Sequence, residues 1–156
     1  MNLHKNLQIL MHNNNTKYWS FTWQTNINQK TIPDENLLLY FLNKHCSDAV
    51  FQYEKSTLRE KLHIQGKMTY AGPRTSKVAF LNLFKKHFDN IGGLTISPVR
   101  NKEGLEDYVM KSEGRVKGPF FLGNKNIKQQ FSMKQSKLRA WQQDLYQMLL
   151  SDKLPE

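Results

Sequence analysis

One cysteine, Cys46, stands alone among 156 residues. A lone thiol excludes a disulfide framework and a cysteine-based zinc site, and it fits a reducing compartment. No apolar run approaches the roughly 20 residues that a bilayer-crossing helix needs. The first 15 residues are rich in Asn and His and lack the apolar centre of a secretory signal. Internal repeats and a Gly-rich phosphate loop are both missing, which excludes solenoids and P-loop enzymes. Acidic residues are scarce. Asp and Glu number 13 against 23 Lys and Arg, a formal net charge of +10. Such a surplus suits a polyanionic partner, because basic side chains displace counterions from nucleic-acid phosphates. Plain solubility is the alternative, and charge alone puts nucleic acid a little ahead of it. A soluble intracellular chain of one domain's length, with no membrane partner, is expected.

What is present reads as an alternation of strands and helices. Trp19, Phe21 and Trp23 alternate with Ser20, Thr22 and Gln24, the period of a half-buried strand. Pro33 and Asp34 open a helix with an apolar stripe of Leu38, Phe41 and Leu42. A second strand sets Phe51 and Tyr53 against Gln52 and Glu54. The third sets Leu62, Ile64, Met68 and Tyr70 against His63, Gln65, Lys67 and Thr69, and Gly72-Pro73 ends it. Ser76 caps a helix carrying Phe80, Leu83, Phe84 and Phe88. Leu94 to Ser97 form a short strand, and Lys102 to Lys111 a helix that ends near Gly114. Residues 115–135, basic and rich in Gly, Asn and Gln, read as loop or linker. Leu138, Trp141, Leu145 and Met148 then mark an amphipathic helix. The expected fold class is α+β: an antiparallel sheet of about five strands, RNA-recognition or ferredoxin-like. Helices cover one face, and the polar face stays available.

That polar face holds the chemistry. His63 and Gln65, two apart on a strand, project together some 6–7 Å apart. Glu54, nine positions earlier, falls beside them if the intervening residues form a hairpin. A carboxylate, an imidazole and an amide oxygen make a hard donor set suited to Mg²⁺ or Mn²⁺. The plain alternative is three polar residues on a solvated face. Tyr108 and Lys111, three apart on a helix, share a side. A phenol with a reference pKa of about 10 becomes a nucleophile only when activated, and a nearby ammonium lowers the cost of the phenolate. The alternative there is a packed Tyr and a solvated Lys. Thr22, Gln24 and Asn26 are placed for hydrogen bonds to bases. Lys67, Lys85, Lys86, Arg115, Lys117, Lys125 and Lys128 are placed for phosphate contacts.

In chain order, Phe21-Thr22-Trp23-Gln24-Thr25-Asn26, His63-Ile64-Gln65-Gly66 and Tyr108-Val109-Met110-Lys111-Ser112-Glu113-Gly114 resemble three motifs of one family. These are the origin-recognition, metal-binding and nucleophile motifs of the HUH-superfamily endonuclease domain of rolling-circle replication initiators (Rep proteins). The likeness is to those of circovirus-like circular single-stranded DNA viruses and covers roughly Lys17 to Gly123. Gln65 fits the branch whose second motif is histidine-hydrophobe-glutamine, and Glu54 sits where that branch places its metal-binding carboxylate. Val109 replaces a frequent cysteine, and the first motif matches most loosely.

The resemblance implies a single-strand nickase. Glu54, His63 and Gln65 would hold Mn²⁺ or Mg²⁺, Tyr108 would be the nucleophile and Lys111 its charge partner. The partners implied are a hairpin-presented single-stranded DNA origin and a helicase domain elsewhere in the full-length chain, with homo-oligomerisation possible there. The location implied is the host nucleus. The expected domains are a flexible arm at 1–16, the endonuclease at 17–123, and a basic linker with an amphipathic helix at 124–156 leading to an absent helicase. The abrupt Leu154-Pro155-Glu156 end suggests a fragment. Two rivals stay open: a non-catalytic single-strand nucleic-acid-binding module on an RNA-recognition-like sheet, and an inactive Rep remnant.

Overall fold

The computed structural model describes residues 15–56, 58, 61–123 and 125–152. Residues 1–14 of the expected arm, and the side chains of Lys125 and Lys128, lie outside the described residues. Thr16, assigned to that arm, is instead tied to the domain, bridged to Thr75 and accepting a hydrogen bond from the Trp19 indole at 3.0 Å.

Five strands form one antiparallel sheet: β1 (Tyr18–Gln24), β2 (Cys46–Lys55), β3 (Leu62–Tyr70), β4 (Leu94–Pro98) and β5 (Arg115–Leu122). Their order is β4-β1-β3-β2-β5. The helices α1 (Glu35–His45) and α2 (Lys77–His87) follow β1 and β3. The chain therefore runs βαββαβ, the ferredoxin-like and RNA-recognition order, with β5 added beside β2. The expected α+β class holds.

Local signals explain the helices. Asp34 accepts from the Leu37 amide at 2.9 Å, and Ser76 from the Ala79 amide at 3.2 Å. Each cap satisfies one orphan donor of a helix start. Leu38, Phe41 and Leu42 of α1 and Phe80 and Phe84 of α2 are buried on the sheet face that carries Trp19, Phe21, Trp23, Ile64 and Met68. Edge-on aromatic pairs lock this layer, with Trp19 on Phe80 and Trp23 on Phe84, both at 5.9 Å. Losing one such Trp costs about 3–5 kcal/mol. Gly66 belongs to the same layer. A Cβ there would lie 2.3 Å from the Phe21 ring and 2.8 Å from Phe51 Cβ, so the aromatic packing needs a glycine under it.

Two expectations change. Of residues 115–135, expected as loop or linker, 115–122 are strand and 125–135 helix. In the strand, Phe120 lies 5.3 Å from Phe51 and 6.2 Å edge-on to Tyr53, closing the sheet edge over the core. Gly118-Pro119 reads locally as a breaker, yet an edge strand tolerates a missing ladder donor. The helix read over Lys102 to Lys111 is α3 (Lys102–Val109), and it crosses the polar face. Lys67, on that face of β3, is 4% exposed and pairs with Glu106 of α3. Val50 and Val109 are buried outside the main core cluster. The polar face is therefore half covered.

The contacts divide the chain into Met1–Gly123 and Asn124–Glu156. The second unit contains α4 (Lys125–Asp152), whose exposed apolar residues include Leu138, Trp141, Leu145 and Met148. Among the described residues, no helix is long and apolar enough to cross a membrane.

Candidate active site

Strand register decides which polar side chains meet. On the face away from the core, one row runs Gln24, His63, Glu54 and Arg115. The next runs Thr95, Thr22, Gln65 and Gln52. The β2–β3 hairpin puts Glu54 directly opposite His63. Glu54 is 2% exposed, and its Oε1 lies 3.3 Å from His63 Nε2 and 3.6 Å from Lys111 Nζ. A buried carboxylate needs a cationic or hydrogen-bonding partner to offset its desolvation.

The C-terminus of α3 brings in the third motif. Asn101 caps the helix start, accepting from the Gly104 amide at 3.2 Å. The helix ends at Val109, so Tyr108 sits in its last turn and Lys111 lies beyond it rather than on it. The two side chains still meet, with Lys111 Nζ 4.4 Å from the Tyr108 ring centre. Carbonyls at a helix end lack intrahelical partners. Here Arg115 Nη2 donates to Met110 O at 3.0 Å, and Gln52 Nε2 to Lys111 O at 2.7 Å.

Glu54, His63, Tyr108, Lys111 and Glu113 line one cleft of about 280 Å³. Tyr108 also walls a second hollow of about 480 Å³ with Ser20, Arg100, Asn101 and Leu105. Its side chain is 50% exposed, open to an attacking approach. Tyr53 makes a useful contrast. Its hydroxyl donates to Pro33 O at 2.5 Å, and burial, with Glu35 and Asp34 nearby, pushes its phenol above the ordinary tyrosine range. Cys46 is no rival nucleophile, because burial and Asp48 push its thiol up to about 12.

The donor chemistry fits a hard divalent ion. Neighbouring ligands on an octahedral ion with bonds of about 2.1 Å stand roughly 3 Å apart, close to the Glu54–His63 separation of 3.3 Å. Among the described residues, no three His, Cys, Asp or Glu side chains stand close enough to hold an ion between them, so further ligands to an ion here would be amide, phosphate or water oxygens. Gln65 lies on the same face two residues along β3, and its Oε1 accepts from Thr22 Oγ1 at 3.1 Å.

The expected DNA contacts divide. Gln24 is exposed beside His63. Thr22 spends its hydroxyl on Gln65. Asn26 proves a turn residue: its Oδ1 accepts from the amides of Asn28 and Gln29, and its Nδ2 donates to Gly92 O. Lys67 is not on an open surface but under α3. Arg115 braces the α3 C-terminus. Lys117 lies on the opposite face, 2.6 Å from Glu35 of α1 and over the Tyr53 ring. Lys85 and Lys86 ride on α2, on that helical side as well. Gln52 and Glu106 were missed by the sequence reading; their place on the face of Glu54 and two residues before Tyr108 was the available signal.

No protein-family model matches the chain, and no curated protein matches it.

Proposed function

We infer that this chain is a single-stranded DNA nickase and strand transferase of the Rep kind, acting through Tyr108. The observation that carries the reading is the convergence of Glu54, His63, Tyr108 and Lys111 on one cleft at the edge of a polar sheet face. These residues come from β2, β3, the last turn of α3 and the turn after it, up to 57 positions apart (Glu54 to Lys111). Burial of Glu54 accounts for His63 and Lys111 as its partners, but not for an exposed tyrosine beside them.

Glu54 and His63 would hold Mn²⁺ or Mg²⁺, with Gln65, one row along the same face, as a third ligand once its amide oxygen leaves Thr22. Such an ion supplies Lewis-acid stabilisation of the negative charge that builds on a phosphoryl group. Tyr108 Oη attacks the scissile phosphorus. A phosphorus–oxygen bond to Tyr108 forms as the bond to the 3′ oxygen breaks, and the leaving oxygen takes up a proton. The products are a 5′-phosphotyrosyl link and a free 3′-hydroxyl, which can prime synthesis. Reversal by another 3′-hydroxyl conserves the bond and needs no nucleotide cofactor. Lys111, in contact with the Tyr108 ring, would hold the phosphate by charge. Gln24, exposed beside His63, is the side chain best placed to reach a base.

The test is a denaturing-gel assay with end-labelled single-stranded oligonucleotides from origin hairpins, with Mn²⁺ or with chelator. A metal-dependent covalent adduct is expected on the fragment downstream of the nick. Tyr108→Phe should bind DNA but form no adduct, and His63→Ala should need far more Mn²⁺. Tight binding without an adduct for any oligonucleotide or metal would favour the non-catalytic module.

A further inference from the structure

Gln52 has no place in the chemistry described so far, yet it is 0% exposed and lies between two parts of the site. Its single amide nitrogen donates both protons. One goes to Glu54 Oε2 at 2.8 Å, the other to Lys111 O at 2.7 Å. One bond therefore reaches the carboxylate on the same strand. The other reaches the turn that ends α3, three residues after Tyr108. Among the described residues, Gln52 Oε1 finds no hydrogen-bond partner. A buried acceptor left unmatched is costly, so burial alone does not account for a glutamine here. Gly118 of β5 closes over the base of this side chain: a Cβ there would lie 3.1 Å from Gln52 Cβ.

We propose that Gln52 is a positioning residue that sets the metal-binding carboxylate and the nucleophile turn against each other through one amide. The proposal rests on the nickase reading above. Occupying Oε2 turns Oε1 toward the cleft, where His63 and Lys111 meet it. A neutral amide does this without setting a further positive charge beside the carboxylate, as a Lys or Arg at this position would. The bond to Lys111 O holds the chain where it leaves the helix, and with it the separation of Lys111 and Tyr108 from Glu54. Partners that orient a metal ligand from behind are worth about 10- to 100-fold in affinity or activity.

Gln52→Met, close in size and without donors, is the variant to make in the full chain. Calorimetric titration of Mn²⁺ without DNA should show affinity about 10- to 100-fold weaker than wild type. Amide exchange in the metal-free protein should accelerate at residues 108–111 and not across β1 and β3. Nicking should stay depressed at saturating Mn²⁺. If Gln52→Met does not fold, Gln52→Asn, an amide too short to span both partners, gives the same two readings. A folded variant with wild-type Mn²⁺ affinity and wild-type exchange overturns the proposal. So does general loosening of the sheet with unchanged Mn²⁺ affinity, the mark of a packing role alone. If the wild type binds Mn²⁺ and forms adduct while the variants match it, only the role of Gln52 falls. If the wild type does neither, the nickase reading falls first and takes the proposal with it.

Discussion

His45 closes α1 with its ring 4.8 Å from that of Phe41. A helix C-terminus favours a protonated imidazole, but desolvation wins here, helped by the charges of Lys44 and His87, and the pKa of His45 falls below its ordinary 6.5. The folded state thus resists taking up a proton that the unfolded chain binds near pH 6.5. In that window the unfolded chain holds more protons, so stability rises with pH and is lost as pH falls below about 6.5. The melting temperature should decline from pH 7 to pH 5, and His45→Asn should flatten that decline. An equal slope in the variant would clear His45 of the effect. At the same scale, Lys117 and Gln24 make opposite predictions despite similar exposure. Lys117 faces α1 across the sheet from the cleft, so Lys117→Ala should leave nicking within about twofold. Gln24→Ala should weaken oligonucleotide binding, since a polar contact to a base edge is worth about 1–3 kcal/mol. Binding isotherms on both variants decide it; a larger loss from Lys117→Ala would put the DNA on the wrong face.

Elements differ in how far local sequence specifies them. β1 and β3 were legible because each carries its own alternation, and α1 and α2 because cap and stripe sit within one turn of each other. The Glu54–His63 pairing was legible for a related reason: a hairpin fixes register over nine residues. β5 was not, since Gly118 and Pro119 break its local pattern and its strand character comes from pairing with β2, some 70 residues earlier. With no strand read there, nothing told which face Lys117 takes. Lys67 was placed on the correct face, but a periodic pattern cannot announce the helix that crosses it. Gln52 was illegible as a bridge because one of its partners lies 59 positions away. The β5–β2 pairing makes its own prediction. Gly118 has φ +107°, where an L side chain is strained, and a Cβ there presses on Gln52. Gly118→Ala should cost about 1–3 kcal/mol by thermal unfolding, and it should weaken Mn²⁺ binding as the Gln52 variants do. Unchanged Mn²⁺ affinity in a destabilised Gly118→Ala would separate the strand edge from the site.

At the scale of the molecule, the net charge of +10 overstates the positive charge gathered at the cleft, and so the salt dependence that the proposed DNA binding should show. Lys67 is spent on Glu106, Arg115 on Met110 O and Lys117 on Glu35, while Lys85 and Lys86 lie on the helical side. Among the described residues, the cations that line the two hollows beside Tyr108 are Lys111, Lys55 and Arg100. Each phosphate neutralised on a single strand contributes roughly −0.7 to the slope of log affinity against log salt. Three or four contacts predict a slope of about −2 to −3. A fragment ending at Gly123 keeps the whole sheet, its aromatic core and every cleft residue, so it should fold, form the Tyr108 adduct and show that same shallow slope. A fragment that folds but binds with a slope of the full chain reduced by half or more would assign the lost contacts to the residues after 123. A slope steeper than about −5 in both would mean that the strand runs onto cations beyond the cleft, on a path the polar face alone does not provide.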